Sequence, residues 1–149
     1  MDYVKLPHYW VNHLSFQLRK QLEVAFTTRG YQVTSEEWAI LLILNKHQQM
    51  TPVALSRLTL RDPTTVSRLI DRLESKALVE RSRTRRDRRI VDIQMTDAGA
   101  KMFGDLAKIA QQIVQQSLAG LTASDIETSI HVLRKISENL AEIGETADV

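Results

Sequence analysis

Residues 81–99 read RSRTRRDRRIVDIQMTDAG, with six arginines (Arg81, Arg83, Arg85, Arg86, Arg88 and Arg89) among the first nine positions and one carboxylate, Asp87, between them. Guanidinium groups at this density attract a polyanion, because their planar donors match phosphate oxygens two at a time. A block of like charge is also common in solvated tails. The flanking residues favour the first reading. LVERSR lies on one side and RIVDIQM on the other, and in the second stretch Val91, Ile93 and Met95 fall on one face while Ile90, Asp92 and Gln94 fall on the other. That alternation is the period of a strand. Two strands joined through TRRD make a hairpin with Arg85, Arg86 and Arg88 at its tip, so the charges stand on a rigid projection.

The net charge of the 149-residue chain is only +2, but it is unevenly spread. Residues 1–50 carry five basic and four acidic side chains, residues 51–95 eleven and six, and residues 96–149 four and eight. A basic centre between a near-neutral and an acidic segment suggests a nucleic-acid-facing module on a scaffold with a different task. The content of 43% hydrophobic and 26% charged residues is that of a soluble globular protein of one domain. There are no cysteines, which excludes a disulfide framework, a thiolate metal site and a cysteine redox switch. No apolar run is long enough to span a bilayer, and MDYVKLPHYW lacks the pattern of a signal peptide, so a cytoplasmic protein without membrane partners is expected.

A projecting hairpin needs a frame, and the preceding residues supply one. In LPHYWVNHLSFQLRKQLEVAFTTRG, Val11, Leu14, Leu18, Leu22 and Ala25 recur at helical spacing with Phe26 beside them, which predicts a long amphipathic first helix stopped by Gly30. TSEEWAILLILNKH opens with Thr34 and Glu37 in capping-box spacing and predicts a buried second helix with Trp38 in the core. Thr51–Pro52 and Asp62–Pro63 are each a cap followed by a proline suited to a first helical turn. They start PVALSRLT and TTVSRLIDRLESK, joined by a tight turn at Leu60 and Arg61, and two such helices in tandem predict a helix-turn-helix. On the second of them Val66, Leu69, Ile70 and Leu73 point to one side. At about 100° per residue, Thr64, Arg68, Asp71 and Ser75 lie opposite, flanked by Thr65, Ser67 and Arg72. Beyond the hairpin, Thr96 and Asp97 cap a fifth helix striped by Met102, Leu106, Ile109, Ile113 and Val114. After an interruption at Gly120, Thr122 caps a sixth with a seam of Ile126, Ile130, Leu133, Ile136, Leu140 and Ile143. The stripes on helices 1, 5 and 6 are directed to a second subunit.

This order of elements resembles the MarR family of winged-helix regulators over essentially the whole chain. The most specific likeness is the wing signature of aspartate, any residue, arginine, then a strand ending in Leu-Thr-x-x-Gly. It stands here as DRRIVDIQMTDAG, with Asp87, Arg89, Thr96 and Gly99 in register and Met95 in place of the usual leucine. TVSRLIDRLESKALVERS is similar to the family's recognition helix and first wing strand. The resemblance implies a mainly α fold: a winged helix-turn-helix with a small β-hairpin wing, plus N- and C-terminal helices forming a dimerisation region. It implies a single domain over 1–149, with dimerisation helices at 1–33 and 100–149 and the winged helix-turn-helix at 34–99, its wing near 78–96. It further implies a sequence-specific regulator of transcription, a repressor that binds palindromic double-stranded DNA as a homodimer and is released by a small aromatic or anionic ligand. By similarity, Thr64, Thr65 and Arg68 face bases, and Ser67 and Arg72 share their DNA-binding face. Of the wing residues Arg85, Arg86, Asp87, Arg88 and Arg89, the resemblance sends Arg89 into the minor groove, steadied by Asp87. Arg81, Arg83, Arg85, Arg86 and Arg88 are left mostly to phosphates. A narrow, negative minor groove favours a guanidinium of fixed direction, and orienting Arg89 gives the lone Asp87 a reason to be there. One position departs from the family. Ala77 stands where glycine is common, so either that turn has another geometry or Ala77 occupies the left-handed region.

Members of the family respond to small phenolic anions, and the residues here that suit such an effector are His8, Trp10, His13 and Trp38, with Tyr9. Packing and surface roles explain the same residues. His8, His13, His47 and His131 show no ligand-spaced pair on one helix face, so neither a metal nor a cofactor is expected. No nucleophile–base pairing or phosphate-binding glycine loop is present either, so the chain does not read as an enzyme. The alternative from another class is a winged helix that binds RNA or docks on protein. Duplex RNA hides its major groove from a helix, so base readout by the fourth helix favours DNA.

Overall fold

The computed structural model describes residues 2–83, 87 and 89–146, with side chains described as far as residue 143. A short 3-10 turn, Tyr3–Lys5, precedes α1 (Pro7–Thr28), α2 (Ser35–His47), β1 (Gln49–Met50), α3 (Pro52–Thr59), α4 (Pro63–Ser75), β2 (Val79–Arg83), β3 (Val91–Met95), α5 (Asp97–Ser117) and α6 (Ala123–Thr146). Met1–Ile113 form one compact unit and Val114–Val149 a second.

The helix starts follow from their caps. Thr34 Oγ1 accepts from the Glu37 N–H at 3.1 Å while the Glu37 carboxylate accepts from the Thr34 N–H at 3.0 Å, the reciprocal box predicted for α2. Thr51 Oγ1 accepts from the Ala54 N–H and Asp62 from the Thr65 N–H, each with a proline in the first turn behind it. Thr122 and Asp125 form a second reciprocal pair at the start of α6.

The ends share a different device. After α1, the Tyr31 N–H reaches the Phe26 carbonyl and the Gly30 N–H reaches that of Thr27, the Schellman pattern with a left-handed residue between helix and loop. The same pair of bonds recurs after α3 (Arg61 to Ser56, Leu60 to Arg57) and after α4 (Leu78 to Leu73, Ala77 to Glu74). The residues in the left-handed position are Gly30 (φ +86°), Leu60 (φ +52°) and Ala77 (φ +57°). Of the two geometries open to Ala77, the chain takes the left-handed one.

The sheet has the strand order β1-β3-β2, antiparallel throughout, with Val79 opposite Met95, Arg83 opposite Val91 and Met50 opposite Ile93. The hairpin was expected; the third strand, β1, was not. It is two residues long and is reached through Gln48, whose φ of +68° turns the chain out of α2. No sequence period exists over two residues.

The core of the first unit joins Phe26, Ile40, Leu41, Leu44, Leu55, Val66, Leu69, Ile70, Leu73, Leu78, Val79 and Ile93 with Leu106 and Ile109. Each such aliphatic side chain, fully buried, contributes about 1.5–3 kcal/mol over leaving it in water. Two of the stripes directed to a second subunit are therefore divided. The C-terminal half of α1 buries Leu22 and Phe26 in this chain's own core, whereas Val11 and Leu14 nearer its start are exposed. The first part of α5 likewise buries Leu106, Ile109 and Ala110, while Val114 is exposed.

Candidate nucleic-acid interface

The fourth helix is anchored on one side and open on the other. Val66, Leu69, Ile70 and Leu73 are at most 2% exposed, so the rotation of α4 about its axis is set by four side chains in the core. That rotation leaves Thr64, Ser67, Arg68 and Arg72 exposed on the outer side, as the 100° spacing predicts. Thr65 is only half exposed, and its hydroxyl donates to the Asp62 carboxylate at 2.6 Å. That hydroxyl bond, with the backbone N–H of Thr65 at 2.9 Å, holds the Asp62 carboxyl below its ordinary range. The helix therefore begins with a carboxylate that stays ionised and fastened to its own first turn.

Ion pairs fix the two ends of α4 to the body. At the turn before it, Arg61 Nη1 meets Glu36 Oε1 of α2 at 2.7 Å. At its far end Lys76 Nζ lies 2.7 and 2.9 Å from the two carboxylate oxygens of Glu37 and 2.7 Å from the Gln32 carbonyl oxygen. Glu37 is 1% exposed, so its charge is balanced inside the protein by one ammonium and the capping N–H. Sequence reading treated Glu37 only as a cap. Nothing local pointed to Lys76, which is 39 residues away.

Ala77 then reverses the chain into the wing. Its carbonyl accepts from Thr96 Oγ1 at 2.7 Å, and the Leu78 carbonyl accepts from the Thr96 N–H at 3.1 Å. The same Thr96 oxygen caps α5 by accepting from the Gly99 N–H at 3.0 Å. Gly99 abuts Leu78 so closely that a Cβ there would be driven into the Leu78 carbonyl oxygen. The Thr-x-x-Gly portion of the signature is thus a joint: threonine ties the wing root to α5, and glycine makes room for the approach.

On the wing, Arg81 differs from expectation. Its guanidinium bridges two carboxylates of α4, Asp71 at 2.6 Å and Glu74, instead of pointing into open solvent as a phosphate ligand would. The reason is spatial: Asp71 and Glu74 are one turn apart on α4, and the reversal at Ala77 brings β2 back beside them. Arg68, Arg72 and Arg83 are exposed and make no ion pair among the described residues. Asp87 Oδ1 accepts from the backbone N–H of Arg89 at 2.9 Å, and the Asp87 carbonyl accepts from the Ile90 N–H at 3.1 Å. Asp87 therefore fixes the turn from which the exposed Arg89 projects. Arg85, Arg86 and Arg88 lie outside the described residues.

The four residues considered for an effector do not come together. Trp38 is buried, stacked on Phe103 at a ring separation of 5.1 Å and edge-on to Phe26 at 5.6 Å. This is its core role, and it takes Trp38 out of a surface pocket. Trp10 and His13 remain exposed and pack with Tyr9, the Tyr9 and His13 rings stacked at 5.7 Å, while Trp10 Nε1 donates to the Val4 carbonyl at 2.9 Å. His8 is exposed on the same helix and joins none of these ring contacts. Among the described residues no group of three His, Asp or Glu side chains is gathered to hold a metal. No helix is long and apolar enough to cross a membrane.

Residues 33–91 match the MarR family, a span that contains the helix-turn-helix and the wing as far as the first residue of β3. The chain is 29% identical over 108 residues to the transcriptional repressor NicR of Pseudomonas putida, covering 72% of this chain and 68% of that protein. It is 27% identical over 106 residues to the transcriptional repressor MdtR of Bacillus subtilis, covering 71% and 68%. Among solved structures, a mutant of MarR from E. coli complexed with operator DNA superposes with a TM-score of 0.77 at 25% identity, over 90% of this chain and 96% of that one.

Proposed function

Through residues 33–91 the chain belongs to the MarR family, and from that premise we propose that it is a repressor of transcription that reads double-stranded DNA as a homodimer. The observation that carries the reading is the contrast across α4. Four core side chains fix its rotation, and the face so presented bears Thr64, Ser67, Arg68 and Arg72, short polar and basic groups of the kind that read base edges in a major groove. Thr65 joins them through its methyl and acceptor lone pairs, its proton being given to Asp62. Arg89 is assigned to the minor groove, with Asp87 setting the direction of its turn. Arg85, Arg86 and Arg88 are assigned to phosphates.

Residues 34–99 do the reading in this scheme, and 1–33 with 100–149 pair the subunits. Support for pairing comes from the exposed apolar side chains of α6, Ile130, Leu133, Leu140 and Ile143. A twofold dimer sets two recognition helices one helical turn of DNA apart and makes the operator a palindrome. The exposed Tyr9, Trp10 and His13 rings, with His8 nearby on α1, are the surface we assign to a small aromatic or anionic effector that relieves repression.

Selection from a random duplex pool should recover a palindrome, and B-form DNA of that sequence should displace it at least a hundredfold better than A-form RNA. Equal competition by RNA duplex would favour the RNA-binding alternative. Within the selected site, Arg68→Ala should relax the preference at one position of each half-site by about 1–3 kcal/mol. Asp87→Ala should weaken binding although it makes the wing more basic; tighter binding at physiological salt would remove Asp87 from its orienting role.

A further inference from the structure

We propose that Arg81 does not contact DNA but is a positioning residue that fixes the wing against the recognition helix; the consequence for DNA rests on the reading above. Three observations converge on it. The guanidinium uses Nη2 on Asp71 and Nη1 on Glu74, so both of its terminal nitrogens are engaged on one helix. The trio of one guanidinium and two carboxylates carries a net charge of −1, which repels a phosphate. To reach DNA, Arg81 would have to release both carboxylates onto the face that approaches the duplex. By contrast Arg83, two residues further along β2, is exposed and makes no ion pair among the described residues, as a phosphate ligand should.

The position of the contact explains what it controls. Arg81 sits opposite Ile93, the one wholly buried residue of β3, close to the wing root. From that root the hairpin extends toward Asp87 and Arg89. A rotation permitted at Arg81 is multiplied along the hairpin, so a bridge of modest strength at the root sets the place of Arg89. The two α4 carboxylates, which on a DNA-reading helix would otherwise repel the backbone, thereby gain a function. They are the socket for the wing.

The test uses the absence of native cysteine, so nitroxides on Ser75→Cys and Ile90→Cys are the only labels. Labelled chains diluted with unlabelled protein should give a narrow distance distribution between α4 and the wing. Arg81→Ala should broaden it, and so should Asp71→Asn with Glu74→Gln, in each case at an unchanged thermal midpoint. On a duplex selected by the parent protein, both variants should lose about tenfold in affinity relative to random duplex. The slope of log affinity against log salt should stay as in the parent, whereas Arg83→Ala should reduce it by about 0.9. Unchanged distributions overturn the proposal. So does a slope reduced by about 0.9 in Arg81→Ala, because that is the mark of a phosphate contact. Broadened distributions in a protein whose parent binds no duplex would leave the socket standing and bring down the DNA reading instead.

Discussion

α4 and α6 carry the same kind of sequence, an apolar side chain every three or four residues on an otherwise polar helix, and end in opposite circumstances. α4 buries Val66, Leu69, Ile70 and Leu73 to 2% exposure or less, whereas α6 has no buried side chain among its described residues and leaves Ile130, Leu133, Leu140 and Ile143 between 43% and 64% exposed. The difference teaches that amphipathicity states only that a face must leave water. What covers the face depends on the rest of the fold. For α4 the cover is α2, α3 and the sheet, so its outer face is held in one orientation. For α6 the cover has to come from outside its own sequence, and a second copy meets that need.

The largest expected effect comes from placing a charge on each stripe. Ile70→Asp puts a carboxylate where there is no water and should cost about 4 kcal/mol or more, leaving the chain unfolded at every concentration by circular dichroism. Leu140→Glu should keep the helical signal and convert a dimer to a monomer in sedimentation at micromolar concentration. If Leu140→Glu sediments as the parent does, the contrast between a stripe covered within the chain and one covered by a partner is broken.

Next in size is the joint between wing root and α5. Gly99→Ala should cost about 3 kcal/mol in urea unfolding, since the new methyl meets the Leu78 backbone rather than a movable side chain. A loss under about 1 kcal/mol would mean that α5 can draw back, and that the first unit is less rigid than its bonds imply.

A smaller pair of changes compares two helix ends built alike. Ala77 and Gly30 hold the same place in the same motif, at φ +57° and +86°. Ala77→Gly should relieve about 1–2 kcal/mol of strain against about 0.5–1 kcal/mol of added chain entropy, and so raise the thermal midpoint by a few degrees. Gly30→Ala should lower it; nothing lies within 4 Å of the new methyl, so backbone conformation alone acts there. A fall in both variants would show that chain entropy outweighs strain at position 77.

The smallest effect is one of pH. Thr65 holds the Asp62 carboxyl below its ordinary range, and Thr122 does the same for Asp125. A depressed carboxylate stabilises the fold fully above its unfolded pKa, about 3.9, and loses that contribution as pH falls through the lower folded value. Asp62→Asn should therefore flatten the loss of stability below about pH 4. In Asp125→Asn the flattening should appear with no change in duplex affinity near neutral pH, which would separate the helix that reads DNA from the one that does not.

Much of this was legible in the chain. Thr34 with Glu37, Thr51 with Pro52, Asp62 with Pro63 and Thr122 with Asp125 are signals within one helical turn, and each cap stands where its residues placed it. The face of α4 was legible because its stripe is strictly periodic. β1 was not, since two residues have no period and the turn into it depends on a strained Gln48. Trp38 was ambiguous because a large aromatic suits a core and a pocket equally, and its stacking on Phe103 comes from α5, 65 residues later. For Arg81, the signal of six clustered arginines outweighed the quieter one, two acids one turn apart on the helix just before.

The sequence alone determined what depends on neighbours along the chain: where helices start and stop, which residues share a face, and that the middle of the chain is basic. These are short-range matters of backbone hydrogen bonds, side-chain spacing and net charge, and no fold is needed to work them out. Tertiary structure decided which charges are already answered. Lys76 finds Glu37 across 39 residues and Arg81 finds Asp71 across ten only after Ala77 has turned the chain back on itself. A charge acts over a few ångströms of space rather than a few residues of sequence, so the same arginine is a ligand for DNA or a strut for the wing according to what the fold sets beside it.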